Sequence, residues 1–252
     1  MTNSIQNKNI AFTARAPQIK DAQWVARKVR SFPHISTTRL SAPIWNLQEQ
    51  NLALYDRYMA KKSFERFVPK NDNEAKLVKL FAWHKRMINK LKNARDEWRV
   101  GRKDDFRRVS SVLGQFKYDK VGNCGEDAFL SGAIAKINGV ENVYTAKLNV
   151  DDSVVDHVVC FFNSDGAKFD GNIKNDTIII DSWIGEADYA KNMFVKYKNL
   201  CQKFFFNLKP NSEIRFQNVS PINLSGSEQL VLSLKYDNLR YPSLTREFMQ
   251  KK

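Results

Sequence analysis

The sequence predicts an α+β protein in which a helical N-terminal half precedes a mixed half. Apolar residues recur every three or four positions through residues 21–115, which is the period of an amphipathic helix. After residue 118 the pattern changes to short runs rich in Val, Ile and Phe, bounded by turn residues, which indicates strands. We therefore expect a flexible leader over residues 1–20, a basic helical lobe over residues 21–115, and an α+β core with a C-terminal helix over residues 116–252. The lobe and the core can pack as one domain.

Three helices are predicted in the N-terminal half. The first, "DAQWVARKVRSF", ends before Pro33, because proline cannot continue a helix. The second, "APIWNLQEQNLALYDRYMAKKSFERF", has Ser41 as its cap and Pro43 in its first turn. The third, "NDNEAKLVKLFAWHKRMINKLKNARDEW", has a strong apolar stripe that includes His84. We expect His84 to be a packed core residue.

The second half alternates between strand and helix signals. "GEDAFLSGAIAKI" predicts a helix, and "NVYTAKLNV" and "VVDHVVCFFN" predict two strands of a hairpin that turns at "DDS". "TIIIDSWIG" predicts a buried strand that runs into a turn. Further along, "EADYAKNMFVKYKNL" predicts a helix, "KFFFNLK" and "EIRFQNV" predict two strands, and a last helix is expected from Ser227 to Pro242.

Composition excludes several classes of protein. No apolar run approaches the roughly 18 residues of a membrane span. The polar start lacks the apolar segment of a Sec-type signal peptide. The three cysteines show neither a CxxC pair nor a Cys/His ligand spacing, so we expect no disulfide framework, no metal site and a reducing compartment. No feature implies a cofactor or a specific nucleic acid.

The positive charge is concentrated in the first half of the chain. Residues 1–120 hold 26 Lys and Arg against 11 Asp and Glu, whereas residues 121–252 hold 15 against 16. This asymmetry predicts an acidic protein or an anionic membrane surface as a partner of residues 21–115. A solvated face on Lys-rich helices explains the same composition, and the sequence leaves both interpretations open.

Three residues in a fixed order indicate nucleophilic chemistry. Cys124 lies where a loop becomes a helix, and unpaired N–H groups at a helix N-terminus lower the pKa of a thiol. His157 lies on an apolar strand and can accept the thiol proton. Asp181 ends the next buried strand and can orient the imidazole. Each residue alone has an ordinary structural explanation, but the three together predict a Cys-His-Asp triad. Four residues of the loop between the strands are rivals of Asp181: Asp170, Asn172, Asn175 and Asp176.

Neighbouring residues have more open assignments. The backbone N–H of Cys124 can bind an oxyanion, and Asn123, Gln115 and Tyr118 are the candidates for a second donor. Trp183 either lines the substrate channel or packs in the core. Two further residues receive structural assignments: Glu126 complements the helix dipole, and Cys160 belongs to the core.

The segments "GNCGEDA", "VVDHVVCFF" and "IIIDSWIG" resemble the Cys, His and Asp motifs of the papain-like and transglutaminase-like superfamily. Within it they resemble bacterial effectors that act as glutamine deamidases, transglutaminases or cysteine proteases. The resemblance covers residues 118–190. It implies a fold in which the Cys124 helix packs on an antiparallel sheet that carries His157 and Asp181.

The resemblance also implies an activity. Cys124 would be the nucleophile, His157 the base and Asp181 the orienting carboxylate of an enzyme that modifies glutamine in a host protein. A dedicated bacterial secretion system, with a secretion chaperone, would deliver it to the host cytoplasm. In papain-like proteases a glutamine stands a few residues before the nucleophile, whereas Gln115 is nine residues away. The alternatives are a cysteine protease with the same triad and a basic binding module with a vestigial triad.

Overall fold

The computed structural model describes residues 18–36, 44, 47–61, 66–99, 103–151, 153–204 and 212–240. The described helices are α1 (Ile19–Arg30), α2 (Leu52–Met59), α3 (Asp72–Trp98), α4 (Asp105–Gly114), α5 (Cys124–Ile137), α6 (Ala190–Phe204) and α7 (Gly226–Lys235), with a π-helical turn at Gln115–Asp119 and a 3₁₀ turn at Asp237–Leu239. The described strands are β1 (Ile35–Ser36), β2 (Val121–Gly122), β3 (Tyr144–Val150), β4 (Ser153–Phe162), β5 (Ile178–Asp181), β6 (Glu186–Tyr189) and β7 (Ile214–Pro221). None of these helices has both the length and the apolarity needed to cross a membrane.

Five strands form one antiparallel sheet in the order β6-β5-β4-β3-β7, and β1 and β2 form a separate parallel pair. The predicted α+β class is therefore confirmed. The hairpin of β3 and β4 is confirmed as well, since Val150 pairs with Ser153 across the turn. The strand predicted at "EIRFQNV" is β7, which pairs with β3 at the edge of the sheet.

The sheet is buried on both faces. Cys160 and Phe162 of β4 belong to a core shared with α1, α4 and α5, whereas Val159 and Phe161 belong to a second core shared with α6. This alternation follows from the two-residue period of a strand, which sends successive side chains to opposite faces. The first core contains residues from both sides of the predicted boundary at residue 115, because α1 packs on α5 and the sheet while α4 packs on α5.

A smaller core joins α2 to α3. It contains Leu54 and Tyr58 from α2 and Phe81 from α3. His84 lies on the same helix with 3% of its surface exposed, so the prediction that it is a packed core residue is confirmed. Burial lowers the pKa of His84. At the other end of α3, Leu91 and Ala94 pack on Val121, which places this helix beside the loop that precedes Cys124.

Three of the predicted elements need correction. The second predicted helix is interrupted, because the side chain of Asn51 donates a hydrogen bond to the Leu47 carbonyl and α2 begins only after it. The segment "EADY", predicted as helical, is strand β6, because it pairs with β5 and Gly185 reverses the chain between them. The last helix ends at Lys235, where Tyr236 leaves the helical region and contacts Ser110 through its hydroxyl.

Some predictions fall outside the described residues. These are the leader as far as residue 17, the start of the second helix at residues 41–43, and most of the strand predicted at residues 203–209.

Candidate active site

Cys124 is the first residue of α5 and is 2% exposed. Asn123, in an extended conformation, precedes it as the N-cap. The side chain of Gln115 donates a hydrogen bond to the carbonyl of Val121, which fixes the short strand before the helix. Gly122 is required in that strand, because a Cβ there would lie 2.5 Å from the ring of Phe116. The thiol therefore sits on a rigid support.

His157 lies in a bulge of β4. Lys147 of β3 pairs with Val158 of β4, and the next recorded pair joins Asn149 to Val154. β4 therefore has four residue steps between these pairs where β3 has two. A bulge bends its strand and re-aims the side chains within it. His157 is thereby placed with its Nε2 atom 2.7 Å from Oδ2 of Asp181.

Asp181 is held at the end of β5 by three donors. Besides His157, the hydroxyl of Tyr197 donates to Oδ2 at 2.9 Å, and the backbone N–H of Ile184 donates to Oδ1 at 3.3 Å. The carboxylate is 1% exposed. The turn that follows closes with the N–H of Gly185 on the Asp181 carbonyl. A buried carboxylate with three donors is well suited to orient an imidazole.

The rivals of Asp181 do not approach His157. Their side chains are all exposed in the loop between β4 and β5: Asp170, Asn172, Asn175 and Asp176. Asp176 instead accepts a hydrogen bond from Ser164. The structure thus brings Asp181, and none of these four, to the imidazole.

Cys124 acts on the same imidazole as Asp181. Burial alone lowers the pKa of His157, but the charge and hydrogen bond of Asp181, with the hydrogen bond and charge of Cys124, outweigh it and raise the pKa from 6.5 to about 10. Nδ1 of His157 is buried and has no hydrogen-bond partner of ordinary geometry among the described residues. The thiol contact is thus looser than an ordinary hydrogen bond, as in many sites before substrate binds. The raised pKa of His157 favours its imidazolium form beside Cys124.

Trp183 lies in the interior beside His157. Its ring is 8% exposed and lies 5.1 Å from the ring of His157, between ring centroids. Its indole N–H donates to the hydroxyl of Ser36 at 2.9 Å. Trp183 therefore packs in the buried interior, which is one of the two roles that the sequence left open, and contacts the imidazole there.

The candidates for the second oxyanion donor have different positions. The side-chain oxygen of Asn123 accepts a hydrogen bond from the N–H of Cys124 at 2.9 Å, so this N–H is occupied. Gln115 is fully buried and binds Val121, as described above. Tyr118 is 65% exposed and stacks on Trp98. Only Asn123 contacts Cys124 directly, and it must rotate before the Cys124 N–H can bind an oxyanion.

Several residues of the site gave no signal in the sequence. Tyr197 reaches Asp181 from α6, and His34 lies 2.9 Å from the carboxylate of Asp127 on α5. Glu126, expected only to complement the helix dipole, is buried and forms two hydrogen bonds with Arg95 of α3. These contacts join distant segments, and no local pattern encodes them.

Cys160 is fully buried, and burial raises the pKa of its thiol, which fits the predicted core role.

Among the described residues no group of three or more His, Cys, Asp or Glu side chains is arranged to hold a metal ion. Among the described residues, one cleft of about 470 Å³ is lined by residues that include Lys136 and Glu228, and a smaller one of about 210 Å³ is lined by residues that include Asn149. The larger volume is not the candidate active site, because no triad residue lines it.

Comparison of the chain with protein-family models, curated proteins and solved structures finds no match in any of the three.

Proposed function

We propose that this protein is a cysteine-dependent acyl-transfer enzyme that modifies glutamine in a protein substrate, as a deamidase or a transglutaminase. One observation carries the proposal: Nε2 of His157 lies 2.7 Å from Asp181 while Cys124 interacts with the same ring. A nucleophile, a base and an orienting carboxylate in this order are the parts of a catalytic triad. We further propose that α5 and the antiparallel sheet form a papain-like or transglutaminase-like core.

In the proposed reaction the thiol of Cys124 gives its proton to Nδ1 of His157, and the sulfur attacks the carboxamide carbon of glutamine. The tetrahedral intermediate collapses to a thioester as the C–N bond breaks, and His157 returns the proton to the departing ammonia. Water then attacks the thioester to give glutamate, or a lysine amine attacks to give an amide cross-link. Either step releases the Cys124 thiol. Asp181 keeps the imidazole oriented throughout.

The resemblance in "NCGE" favours attack on the side-chain carboxamide of glutamine over attack on a main-chain amide. A cysteine protease with the same triad is the second candidate. Its support is that the triad geometry suits any acyl group that reaches Cys124. A non-enzymatic binding module is the third, and the excess of Lys and Arg in residues 1–120 supports it.

The cellular setting belongs to the same proposal. The effector-like motifs around Cys124, His157 and Asp181 support a virulence protein that a bacterial secretion system, with a chaperone, delivers into the host cytoplasm. Its substrate there would be a host protein, and the basic lobe would contact an acidic protein or an anionic membrane.

Intact mass spectrometry of candidate substrate proteins tests the reaction type. Deamidation raises the substrate mass by the small difference between a carboxamide and a carboxylic acid. Transamidation adds the mass of an amine or links two chains, and proteolysis produces fragments. Cys124→Ala and His157→Ala should abolish the change, whereas Asp181→Ala should leave more residual rate, because triad members act as a unit and the third usually costs least. Cys160→Ser is the matched control and should stay active. Modification that survives in Cys124→Ala would place the chemistry elsewhere.

Thiol reactivity separates an enzyme from a binding module. An activated Cys124 should react quickly with iodoacetamide and with a marked pH dependence, whereas a vestigial triad should react as slowly as an ordinary buried thiol. The measurement needs no substrate, so it remains informative when none has been found.

A further inference from the structure

Residues 31–36, which we call the strap, bridge the two sides of the candidate active site. On one side β1 of the strap pairs with β2, directly before Cys124, and the N–H of Ile35 donates to the carbonyl of Lys120 at 2.9 Å. On the other side the hydroxyl of Ser36 accepts the indole N–H of Trp183, the ring beside His157. The strap therefore joins the nucleophile side to the imidazole side.

His34 fixes the strap to the catalytic helix. Its Nε2 atom lies 2.9 Å from Oδ1 of Asp127, and both side chains are at most 6% exposed. The ring stacks on Phe116 with centroids 3.9 Å apart and planes 6° from parallel. Its Nδ1 atom lies 3.1 Å from the carbonyl of Phe32. Asp127 is one turn after Cys124 on α5, so this contact lies close to the nucleophile.

Oδ1 of Asp127 lies 2.9 Å from Nε2 of His34 without ordinary hydrogen-bond geometry, so the pair is a close ionic contact, and two buried groups this near need a proton on one of them. A carbonyl only accepts, so Nδ1 of His34 carries a hydrogen toward Phe32. A bare Nε2 would then repel the carboxylate, so a second proton resides on Nε2 or on Asp127. Burial raises the pKa of Asp127, the His34 contact lowers it, and the charges of Glu126 and Asp181 raise it further. Glu126 is itself paired with Arg95, and Asp181 is paired with His157.

The site is closed in this arrangement. Cys124 is 2% and His157 is 7% exposed, so both side chains are almost completely covered. We propose that the strap is an autoinhibitory segment, latched by His34 on Asp127 and by Ser36 on Trp183, and that it lifts to admit the acyl substrate. The proposal rests on the proposed thiol chemistry for its purpose, but access to Cys124 can be measured without turnover.

Alkylation by reagents of two sizes tests the latch. In a Cys160→Ser, Cys201→Ser background, the rate at Cys124 is measured with iodoacetamide and with a bulky maleimide. The ratio of the two rates reports access, because the thiolate fraction affects both reagents alike. Asp127→Ala removes the latch and should raise the bulky-to-small ratio about tenfold, because the opening equilibrium loses one close, buried ionic contact.

Asp127→Asn is the matched variant. It is uncharged like Asp127→Ala, but its amide can donate to Nε2 of a neutral His34, so the ratio should stay within about threefold of the parent. Ser36→Ala breaks the second contact and should raise the ratio as well. Near-ultraviolet circular dichroism identifies any variant that fails to fold.

An unchanged ratio in folded Asp127→Ala and Ser36→Ala would overturn the latch. An equal rise in Asp127→Ala and Asp127→Asn would also overturn it, because charge alone would then explain the effect. Failure of the proposed function gives a different result: the ratio still responds to the variants, while no substrate is modified by either the closed or the opened protein.

Discussion

The hydroxyl of Tyr197 donates a 2.9 Å hydrogen bond to Oδ2 of Asp181, the same oxygen that receives His157. Tyr197 is 3% exposed and comes from α6, on the face of the sheet opposite α5. The second core thus supports the carboxylate from behind. Tyr197 is a positioning residue, since it acts on the imidazole only through Asp181.

Tyr197→Phe should weaken that support while it preserves the ring in the core. Loss of the hydrogen bond should lower the free energy of unfolding by about 1 kcal/mol. Without this donor, the Asp181 carboxylate interacts more strongly with the imidazole. The pKa of His157 should therefore rise above the wild-type value, and kcat should fall several-fold. The pH profile of Cys124 alkylation and the His157 titration measure the shift. Tyr58→Phe, at a buried site in the smaller core between α2 and α3, is the control for stability alone. An unchanged titration in Tyr197→Phe would reduce Tyr197 to a packing residue.

The raised pKa of His157 predicts how stability depends on pH. The folded protein holds the imidazole proton to about pH 10, whereas the unfolded chain loses it near 6.5. The contribution is therefore complete below about pH 6.5 and is lost as pH rises through about 10. The difference in free energy of unfolding between wild type and His157→Asn should shrink across this window, as measured by urea unfolding at about pH 6, 8 and 10.

The titration of His157 should also reveal its partners. Cys124→Ala removes a hydrogen bond and a charge that raise the pKa of His157, so that pKa should fall, and Asp181→Asn should lower it further. Cys160→Ser serves as the unaffected comparison. Nuclear magnetic resonance of the imidazole measures all three variants, and a His157 that titrates near 6.5 in wild type would contradict the ion pair.

The sequence was sufficient to predict the three main residues of the site, because each has a local signal. Cys124 begins a helix, and Asp181 ends a buried strand. The bulge that orients His157 could not be predicted from the sequence, because it exists only in the register of β3 against β4. Tyr197 was missed for a related reason: it lies on the apolar stripe of a helix and looks like any core residue.

Pairing between segments also explains the errors in the fold. "EADY" has no strand alternation strong enough to outweigh the helical pattern that follows it. Its partner β5 decides its conformation, because Ile178–Asp181 presents an edge that Glu186–Tyr189 completes. Local propensity is a weak guide where a neighbouring strand supplies the hydrogen bonds.

Arg95 and Glu126 connect α3 to α5, the helix that begins at Cys124. Both guanidinium contacts are short, 2.5 and 2.7 Å, and the Glu126 side chain is 5% exposed while that of Arg95 is 42% exposed. Arg95→Ala leaves a buried carboxylate without its cation and should cost about 2 kcal/mol of unfolding free energy, less than a fully buried pair because water screens Arg95. Denaturant unfolding measures the loss.

A surface pair of the same type provides the comparison for Arg95. Arg57 contacts Glu74 at the start of α3, and Arg57→Ala should cost clearly less unfolding free energy than Arg95→Ala, because water screens a surface pair. Equal losses for the two variants would mean that Glu126 gains little from its partner. Glu126→Gln should restore part of the stability of Arg95→Ala, because a neutral amide is cheaper to bury than an unpaired charge.

The exposed cations of α3 test the docking role of the basic lobe. Lys85, Arg86, Lys90 and Lys92 all lie at exposed positions, which places their charge on the surface. If this surface binds an acidic partner, association should weaken as salt shortens the Debye length from about 10 Å at 0.1 M to about 3 Å at 1 M. Turnover of a small amide or ester at Cys124 should change much less, because the contact between Cys124 and His157 is short-range and buried.

Charge reversal at these four positions separates docking from chemistry. Replacement of each cation by Glu should raise the apparent KM for the protein substrate and leave the rate with a small substrate nearly unchanged, since no described contact joins these side chains to His157 or Asp181. Reversal at Lys168 and Lys174, in the exposed loop between β4 and β5, changes charge outside the lobe and is the matched control. Steady-state kinetics at low and high salt measure both effects. Equal KM values for the α3 variant and the control, or partner binding that is equally tight at low and high salt, would show that the basic lobe is a solvated surface and not a docking site.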